Sequence, residues 1–270
     1  MAALVAERLR ARGERPAILS RGYGRRDPAD GVVVVRDPGG IRADLDRAGD
    51  EPLMLARRLD GVAVLASSSR YLAGRLAEHH FGCTVHVLDD GFQHFDLHRD
   101  ADLVMVAGED LAHTRTLPGG RLREPIDAAS SADAFVALDG AGIAALSAGR
   151  PFWHARRRLG AVPHGPAVAV AGIADPRAFF ESVRAAGCTV VREIGFADHY
   201  RYSRADVRRL AEQARDAGAD SIVTTEKDLV RLLPFRPFSV PIVAIPLTIE
   251  IDDSATFDAW LADAIERAHG

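Results

Sequence analysis

Short apolar runs alternate with longer segments of mixed polarity along most of the chain. The short runs are rich in valine, isoleucine and leucine, which predicts strands, and the longer segments repeat apolar residues at helical spacing. Strands that alternate with helices are typical of an α/β fold built on a largely parallel sheet. The predicted strands are Ala17–Ser20, Val32–Arg36, Val62–Ala66, Val85–Leu88, Leu103–Val106, Ala134–Ala137, Val168–Ala171, Thr189–Ile194, Ser221–Thr224 and Val240–Ile245. The predicted helices are Pro52–Leu59, Tyr71–Phe81, Pro176–Ala186, Ser203–Ala217 and Ala255–Ala268.

One segment near the middle of the chain breaks this pattern. Residues 151–166 (PFWHARRRLGAVPHGP) are rich in proline, glycine and arginine and lack a clean period. Such a composition indicates a connection between folded units. We therefore predict two lobes, a core lobe of residues 1–150 and a smaller C-terminal α/β lobe of residues 151–270 that closes over a cleft.

The first residues predict an amphipathic helix, because apolar Leu4, Val5 and Leu9 are separated by charged residues. An open α/β domain normally begins with a strand, and Met1 offers no side-chain cap for a helix. We expect either that the sheet begins with its second unit or that an upstream segment has been lost.

Composition narrows the class of protein. The chain has 270 residues, of which 47% are hydrophobic and 27% charged, as expected for a globular protein with a sizeable core. A net charge of −4 argues against bulk electrostatic binding of nucleic acid. The sequence contains neither an apolar run of about 18 residues nor a signal peptide, so we expect a soluble or peripheral protein. Cys83 and Cys188 are expected to be small buried hydrophobes in a reducing cytoplasm.

The strongest local motif is VHVLDDGFQH. The strand Val85–Leu88 delivers Asp89 and Asp90 to its carboxyl end, where α/β enzymes bind ligands. Aspartates placed in this way hold Mg²⁺ in phosphoryl-transfer enzymes. Asp-Asp-Gly is also favourable turn chemistry by itself, so a plain turn remains an alternative. Gln93 and His94 follow directly and favour a functional loop.

A second pair of carboxylates, Asp50 and Glu51, precedes Pro52 at the start of a predicted helix. Acidic residues there complement the helix dipole, which is sufficient reason for their presence. The functional alternative is that one is a general base and the other a metal ligand. His199 lies in the second lobe, where a lone histidine is usually structural or exposed. Paired with Asp50 across a cleft, His199 could orient or tune that carboxylate.

Two loops combine glycine with arginine. Arg21 lies in the segment ILSRGYGR, and Arg121 and Arg123 lie in LPGGRLREP. Glycine permits tight turns, and arginine binds anionic groups through paired hydrogen bonds. Solvated surface connections remain an alternative for both loops. Lys227, within TTEKD after another strand, is the single lysine of the sequence.

Taken together, these segments resemble the tetraacyldisaccharide 4'-kinase family over nearly the whole chain. Each motif is common by itself, and the resemblance rests on seven of them occurring in one order. The matching segments are ILSRGYGR (Ile18–Arg25), GDEP (Gly49–Pro52), LDDGFQH (Leu88–His94), LHRD (Leu97–Asp100), LPGGRLREP (Leu117–Pro125), FADHY (Phe196–Tyr200) and TTEKD (Thr224–Asp228).

The resemblance implies a fold, a reaction and a location. The fold would be P-loop-NTPase-like, a largely parallel sheet flanked by helices, with a smaller C-terminal α/β lobe. The reaction would transfer the γ-phosphoryl group of ATP, with Mg²⁺, to the 4'-hydroxyl of a tetraacyldisaccharide 1-phosphate lipid in the biosynthesis of lipid A and lipopolysaccharide. Such an enzyme would act as a peripheral protein at the cytoplasmic face of the inner membrane.

The resemblance also implies roles for individual residues. Asp50 is expected to be the general base, assisted by His199. The carboxylates expected to organise the metal are Glu51, Asp89 and Asp90. The residues expected to contact the substrate phosphate or the nucleotide are Arg21, Gln93, His94, Arg121 and Arg123.

The sequence departs from the family in one respect. No segment matches the P-loop pattern GxxxxGK[ST], and Lys227 is too far along the chain to replace its lysine. We therefore expect a sheet without its first strand and P-loop, and an N-terminally truncated, inactive chain. Three alternatives follow: a family kinase whose start codon was assigned too late, a non-catalytic paralogue that binds an acidic saccharide lipid, or a Mg²⁺-dependent phosphohydrolase. Retention of the predicted acidic and histidine residues favours the first.

Overall fold

The computed structural model describes residues 1–26, 31–120 and 122–269. The helices are α1 (Ala2–Ala11), α2 (Leu45–Ala48), α3 (Asp50–Arg58), α4 (Arg70–Phe81), α5 (Gly108–Ala112), α6 (Ala144–Ser147), α7 (Pro176–Ala185), α8 (Arg204–Asp216), α9 (Glu226–Leu232) and α10 (Ser254–His269). The strands are β1 (Pro16–Ser20), β2 (Val33–Asp37), β3 (Gly40–Ile41), β4 (Ala63–Ala66), β5 (Val85–Leu88), β6 (Leu103–Ala107), β7 (Ala134–Leu138), β8 (Phe152–Leu159), β9 (Pro166–Ala171), β10 (Thr189–Gly195), β11 (Ser221–Thr225), β12 (Ile242–Ile245) and β13 (Leu247–Ile251).

The first sheet has the order β3-β2-β4-β1-β5, with β1 parallel to both of its neighbours. Its central strand β1 is completely buried, which follows from its apolar sequence PAILS. Helices α1 and α3 cover one face, where Ala6 and Leu53 pack with Ile18. Helix α4 covers the other face, where Ala73 packs with Leu19. The sheet is thus buried on both faces, as parallel sheets require.

The second sheet has the order β13-β8-β7-β6, in which only the β13–β8 pair is antiparallel. Trp153 of β8 packs edge-on against Phe257 of α10, with ring centroids 5.1 Å apart. Leu9 of α1 joins the same apolar cluster. The last helix of the chain therefore packs against the first.

The third sheet, β10-β9-β11-β12, is entirely parallel. Phe180 and Val183 of α7 cover one face, and Leu210 and Ala214 of α8 cover the other. Helix α8 is capped by Ser203, whose hydroxyl accepts a hydrogen bond from the backbone N–H of Asp206 at 3.2 Å. This capping box satisfies backbone donors that the first helical turn leaves free.

The α/β architecture with mostly parallel strands is confirmed, and each predicted strand and helix overlaps an observed one. The predicted connection at 151–166 is wrong, because β8 occupies residues 152–159. Its exposed arginines obscure the pattern, yet Trp153 and Ala155 alternate inward as in any half-buried strand. Both β8 and β13, although beyond residue 150, pair in the sheet of β6 and β7. The division into lobes 1–150 and 151–270 stays a prediction.

No helix within the described ranges is long and apolar enough to cross a lipid bilayer.

Candidate active site

The site begins where α3 starts. Gly49 precedes the helix with φ +83°, and a Cβ atom there would lie 2.7 Å from the carbonyl oxygen of Tyr23. Only glycine tolerates both this backbone conformation and this close approach. The tight packing brings the first helical residue, Asp50, under the loop that follows β1, and leaves it 6% exposed. Its Oδ1 accepts a hydrogen bond from the Glu51 backbone N–H at 2.9 Å.

Asp50 contacts two residues from the second half of the chain. Its Oδ2 lies 2.9 Å from Nδ1 of His199 and accepts a hydrogen bond from Nε of Arg231 at 2.8 Å. Nη2 of Arg231 donates to the same oxygen. His199 has a left-handed backbone, φ +53°, and its ring packs edge-on against Tyr23 with centroids 5.8 Å apart. The structure thus brings together the two residues predicted to form the catalytic pair; their roles stay predictions.

The charge of Asp50 follows from these contacts. Burial raises the pKa of this carboxyl, but the Arg231 guanidinium and His199 outweigh burial, so the pKa lies below its ordinary value. A carboxylate only accepts hydrogen bonds, so Nδ1 of His199 carries the proton of their shared bond. When the imidazole is neutral, Nε2 is then the ring nitrogen that carries the lone pair. The pair can hold an imidazole as a proton acceptor beside a permanent negative charge.

Asp89 and Asp90 lie at the carboxyl end of β5. Burial, then Asp90 and Glu51, raise the pKa of Asp89 to about 6. Asp90 is exposed with φ +51°, and its carboxylate lies 3.3 Å from Nη2 of Arg123. Glu51 forms an ion pair with Lys227 of α9. The predicted acidic residues therefore share one electrostatic environment, although Glu51 and Asp90 each have a cationic partner.

A metal ion at these carboxylates is chemically reasonable. Burial is the main cause of the raised pKa of Asp89, and the charges of Asp90 and Glu51 add to it. A divalent cation would neutralise these like charges, and carboxylate oxygens are the ligands that Mg²⁺ prefers. Across the described residues, however, no group of three or more His, Cys, Asp or Glu side chains is arranged to hold a metal. Metal ligation by Glu51, Asp89 and Asp90 stays a prediction.

The remaining predicted residues surround this edge. Gln93 and Arg123 line a cavity of about 120 Å³ beside β6, together with Phe92. His94 is half-buried, and its carbonyl accepts a hydrogen bond from Arg99 at 2.6 Å. Arg21 is exposed in the loop after β1. Arg121 lies outside the described residues.

Sequence reasoning missed Arg70, the first residue of α4. It is only 2% exposed, donates from Nη1 to the carbonyl of Ser67 at 2.8 Å, and its Nε finds no hydrogen-bond partner among the described residues. Burial and Arg21 lower the pKa of Arg70, while Asp89 raises it. The one available signal was its place, since Ser67 to Arg70 follow a buried strand as a run of polar residues.

Arg231 was also missed, and here the sequence holds no signal. It lies in LVRLL, where an arginine among apolar residues predicts an exposed turn of a helix, yet it is 5% exposed. Arginines and carboxylates gathered at the carboxyl ends of parallel strands are typical of α/β enzymes that act on phosphate groups. The fold and the site therefore have the features of α/β enzymes that act on phosphate groups.

Comparison with known proteins gives the family. The family model for the tetraacyldisaccharide-1-P 4'-kinase, LpxK, matches residues 1–266. A tetraacyldisaccharide 4'-kinase of Koribacter versatilis is 37% identical over 265 residues, which cover 94% of this chain and 80% of that protein. One from Geobacter metallireducens is 39% identical over 252 residues, covering 87% and 74%. The chain therefore belongs to the tetraacyldisaccharide 4'-kinase family, whose members are kinases.

A solved structure agrees with this assignment. The apo form of LpxK from Aquifex aeolicus, in complex with ATP, superposes with a TM-score of 0.79 at 28% identity, covering 97% of this chain and 82% of that one. The family resemblance seen in the sequence is confirmed, and the mostly parallel sheets flanked by helices are consistent with the P-loop-NTPase-like fold that it implied.

Proposed function

We propose that this protein transfers the γ-phosphoryl group of ATP to the 4'-hydroxyl of a tetraacyldisaccharide 1-phosphate lipid, a step in lipid A biosynthesis. The observation that carries the proposal is the Asp50–His199 pair, in which the aspartate is buried and the histidine ring is partly exposed to solvent. Family membership supports the acceptor, and the related structure in complex with ATP supports the donor.

In this proposal the Asp50–His199 pair accepts the proton of the attacking hydroxyl. Both oxygens of Asp50 already accept hydrogen bonds, from Glu51, Arg231 and His199. The proton therefore enters through Nε2 of His199, whose side chain is 36% exposed. The fixed charge of Asp50 stabilises the imidazolium that results, which is how a buried carboxylate assists a histidine base.

The negative charge of the substrate phosphate groups would be balanced by neighbouring arginine side chains and by Mg²⁺. Arg70 offers an Nε–H that has no partner in the described structure, and Arg21 lies close enough to lower the pKa of Arg70. Asp89, Asp90 and Glu51 would hold Mg²⁺, which neutralises charge on the transferred phosphoryl group when bound. Because the acceptor is a lipid, we place the enzyme peripherally at the cytoplasmic face of the inner membrane.

A second candidate function, binding of an acidic saccharide lipid without catalysis, is favoured by one observation. Lys227 is the single lysine of the sequence, and its ammonium group forms an ion pair with Glu51. In the described structure, that ammonium group therefore meets a carboxylate, which occupies it in place of a nucleotide phosphate.

One experiment separates the two functions. The purified 270-residue protein is given radiolabelled ATP, Mg²⁺ and tetraacyldisaccharide 1-phosphate in mixed micelles, and both acceptor binding and 4'-phosphate formation are measured. Turnover that is lost in Asp50→Asn supports the kinase and contradicts the expectation of an inactive chain. Saturable binding without turnover supports the second function. A protein that neither binds nor phosphorylates the acceptor would refute both.

A further inference from the structure

Every nitrogen of the buried Arg231 guanidinium is engaged. Nε and Nη2 donate to Oδ2 of Asp50, and Nη1 donates to the carbonyl of Gly172 at 2.8 Å and to Oδ1 of Asp228 at 3.1 Å. Three chain segments meet at this side chain: α9, the end of β9 and the start of α3. A planar guanidinium bound on all sides has one orientation.

A second carboxylate holds Arg231 in that orientation. Asp228, one turn earlier on α9, has no exposed surface and accepts hydrogen bonds from Tyr202 at 2.9 Å, Thr225 at 2.7 Å and the backbone N–H of Gly172 at 3.0 Å. Burial and the Asp228 charge raise the pKa of Tyr202, so its hydroxyl remains a donor. Asp228 thus accepts hydrogen bonds from three groups besides Arg231. Its own position is fixed, and it holds the guanidinium through Nη1 while Asp50 binds Nε and Nη2.

We propose that Arg231 is a positioning residue that sets the orientation of the Asp50 carboxylate, so that its Oδ2 meets Nδ1 of His199. Its effect on turnover rests on the proposed kinase function, whereas its effect on the geometry of the pair does not. Arg231 cannot itself reach the substrate as a donor, because each of its nitrogens is already bound to protein.

The physical basis is the sharing of one cation by two buried carboxylates. Among the described residues, Asp50 without Arg231 would keep His199 and the Glu51 backbone N–H as hydrogen-bond partners. Two of the four hydrogen bonds that fix the carboxylate come from Arg231, so its loss would let Oδ2 move away from the ring of His199.

A purely structural role is the main alternative, and the chain offers a matched control. Arg58, at the other end of α3, donates to the carbonyl of Leu247 at 2.8 Å and lies 3.6 Å from Glu226 at the start of α9. It also ties α3 to the second half of the chain, but in the described structure it makes no hydrogen bond to Asp50. Arg58→Met therefore removes a similar contact between α3 and the second half of the chain and leaves the Asp50–His199 contact unchanged.

The test compares Arg231→Met, Arg231→Lys and Arg58→Met in the full chain. Crystal structures of the three variants give the distance between Oδ2 of Asp50 and Nδ1 of His199. We expect Arg231→Met to turn the Asp50 carboxylate and to lengthen this distance beyond about 3.5 Å, where the contact is no longer a hydrogen bond. Arg231→Lys should restore part of the contact, and Arg58→Met should leave it at 2.9 Å.

Turnover gives the second readout. Arg231→Met should lower kcat about 10- to 100-fold at neutral pH and leave KM within about twofold. An unchanged Asp50–His199 distance in Arg231→Lys and Arg231→Met, or equal effects of Arg58→Met, would overturn the positioning role. A lengthened distance with unchanged kcat would keep that role and refute Asp50 as part of the base. If Arg231→Met does not fold, Arg231→Lys alone decides the question.

Discussion

Oδ2 of Asp50 lies 2.9 Å from Nδ1 of His199, although 149 positions separate the two residues in the chain. One comes from the first turn of α3 and the other from the loop between β10 and α8. The base of the proposed reaction is therefore formed by residues from both halves of the chain. Any change that separates these halves removes the base without altering either residue.

The most direct prediction concerns Asp50. Asp50→Asn keeps the shape of the side chain but removes its charge and disrupts its bonds to His199 and Arg231. We expect kcat for 4'-phosphorylation to fall about 10²-fold or more, with KM within about twofold, as for loss of a general base. Asp60→Asn, which changes an exposed aspartate paired with Arg36, is the control and should retain wild-type kcat. An Asp50→Asn protein with more than a tenth of wild-type kcat would contradict the role.

The raised pKa of Asp89 predicts an unusual dependence of the free energy of unfolding on pH. Its pKa of about 6 in the folded protein is above its ordinary value of 3.8. Between these two values the folded state binds a proton that the unfolded state releases, so this group makes the protein more stable as pH falls from 7 to 4. Asp89→Asn removes the charge that burial penalises. Urea unfolding should show the variant to be about 1–3 kcal/mol more stable at pH 7, with the difference vanishing near pH 4.

Magnesium provides the control for this pH effect. If Asp89 helps to hold the cation, saturating Mg²⁺ stabilises the wild-type protein by mass action and narrows the gap at pH 7. Asp89→Asn should show little response to Mg²⁺. A wild-type protein whose unfolding is insensitive to Mg²⁺ would remove Asp89 from the metal site, whatever the pH profile.

Gly49 should be more sensitive to alanine than other glycines of similar conformation. Gly13 has φ +94° with open space around it, so Gly13→Ala should cost only the strain of a left-handed residue, about 1–2 kcal/mol. Gly49→Ala adds a contact of 2.7 Å between Cβ and the Tyr23 carbonyl, so we expect about 2–4 kcal/mol in urea unfolding. Equal losses for the two variants would show that the loop carrying Tyr23 moves freely away.

We expect Arg70 to lower the free energy of unfolding and to support binding of the phosphorylated acceptor. Replacing a buried, incompletely bonded charge by an apolar side chain of similar length is often neutral or stabilising. Arg70→Met should therefore match or exceed the wild-type free energy of unfolding, by up to about 2 kcal/mol, and bind the phosphorylated acceptor about tenfold or more weakly. Arg75→Met, on the exposed side of the same helix, is the control. Unchanged acceptor binding by Arg70→Met would exclude Arg70 from the site.

The sequence predicts the elements well where apolar runs are uninterrupted. Val85–Leu88 is a strand with the bounds that its residues indicate, and the acidic pair after it lies at the carboxyl edge as expected. Strand β8 was missed because its three consecutive exposed arginines, Arg156 to Arg158, interrupt the alternation. Arg158 pairs with Glu250 of β13, a partner that no local pattern indicates. Uninterrupted apolar runs thus predict local structure, whereas a strand that depends on ion pairs across the sheet is not recognised from its own residues.

The candidate site was only partly predictable for a related reason. Asp50 and His199 stand in recognisable motifs, so the sequence names them, and the structure brings them into contact. Arg231 and Arg70 are recognised as site residues because they are buried, and their burial depends on packing between distant segments. No local pattern distinguishes a buried, bonded arginine from an exposed one.

The antiparallel pair β8–β13 has a consequence for how the molecule can be divided. Leu159 and Leu247 face each other in register, and the next bond joins the Gly160 N–H to the carbonyl of Pro246 at 2.8 Å. Residues 160–246 thus leave and re-enter at adjacent points, as an insertion does in a host protein. A short turn in their place would close a hairpin and keep the cluster of Trp153 and Phe257. The shortened protein would retain Asp50 as a buried carboxylate without His199 and Arg231, and would therefore lack the proposed proton acceptor.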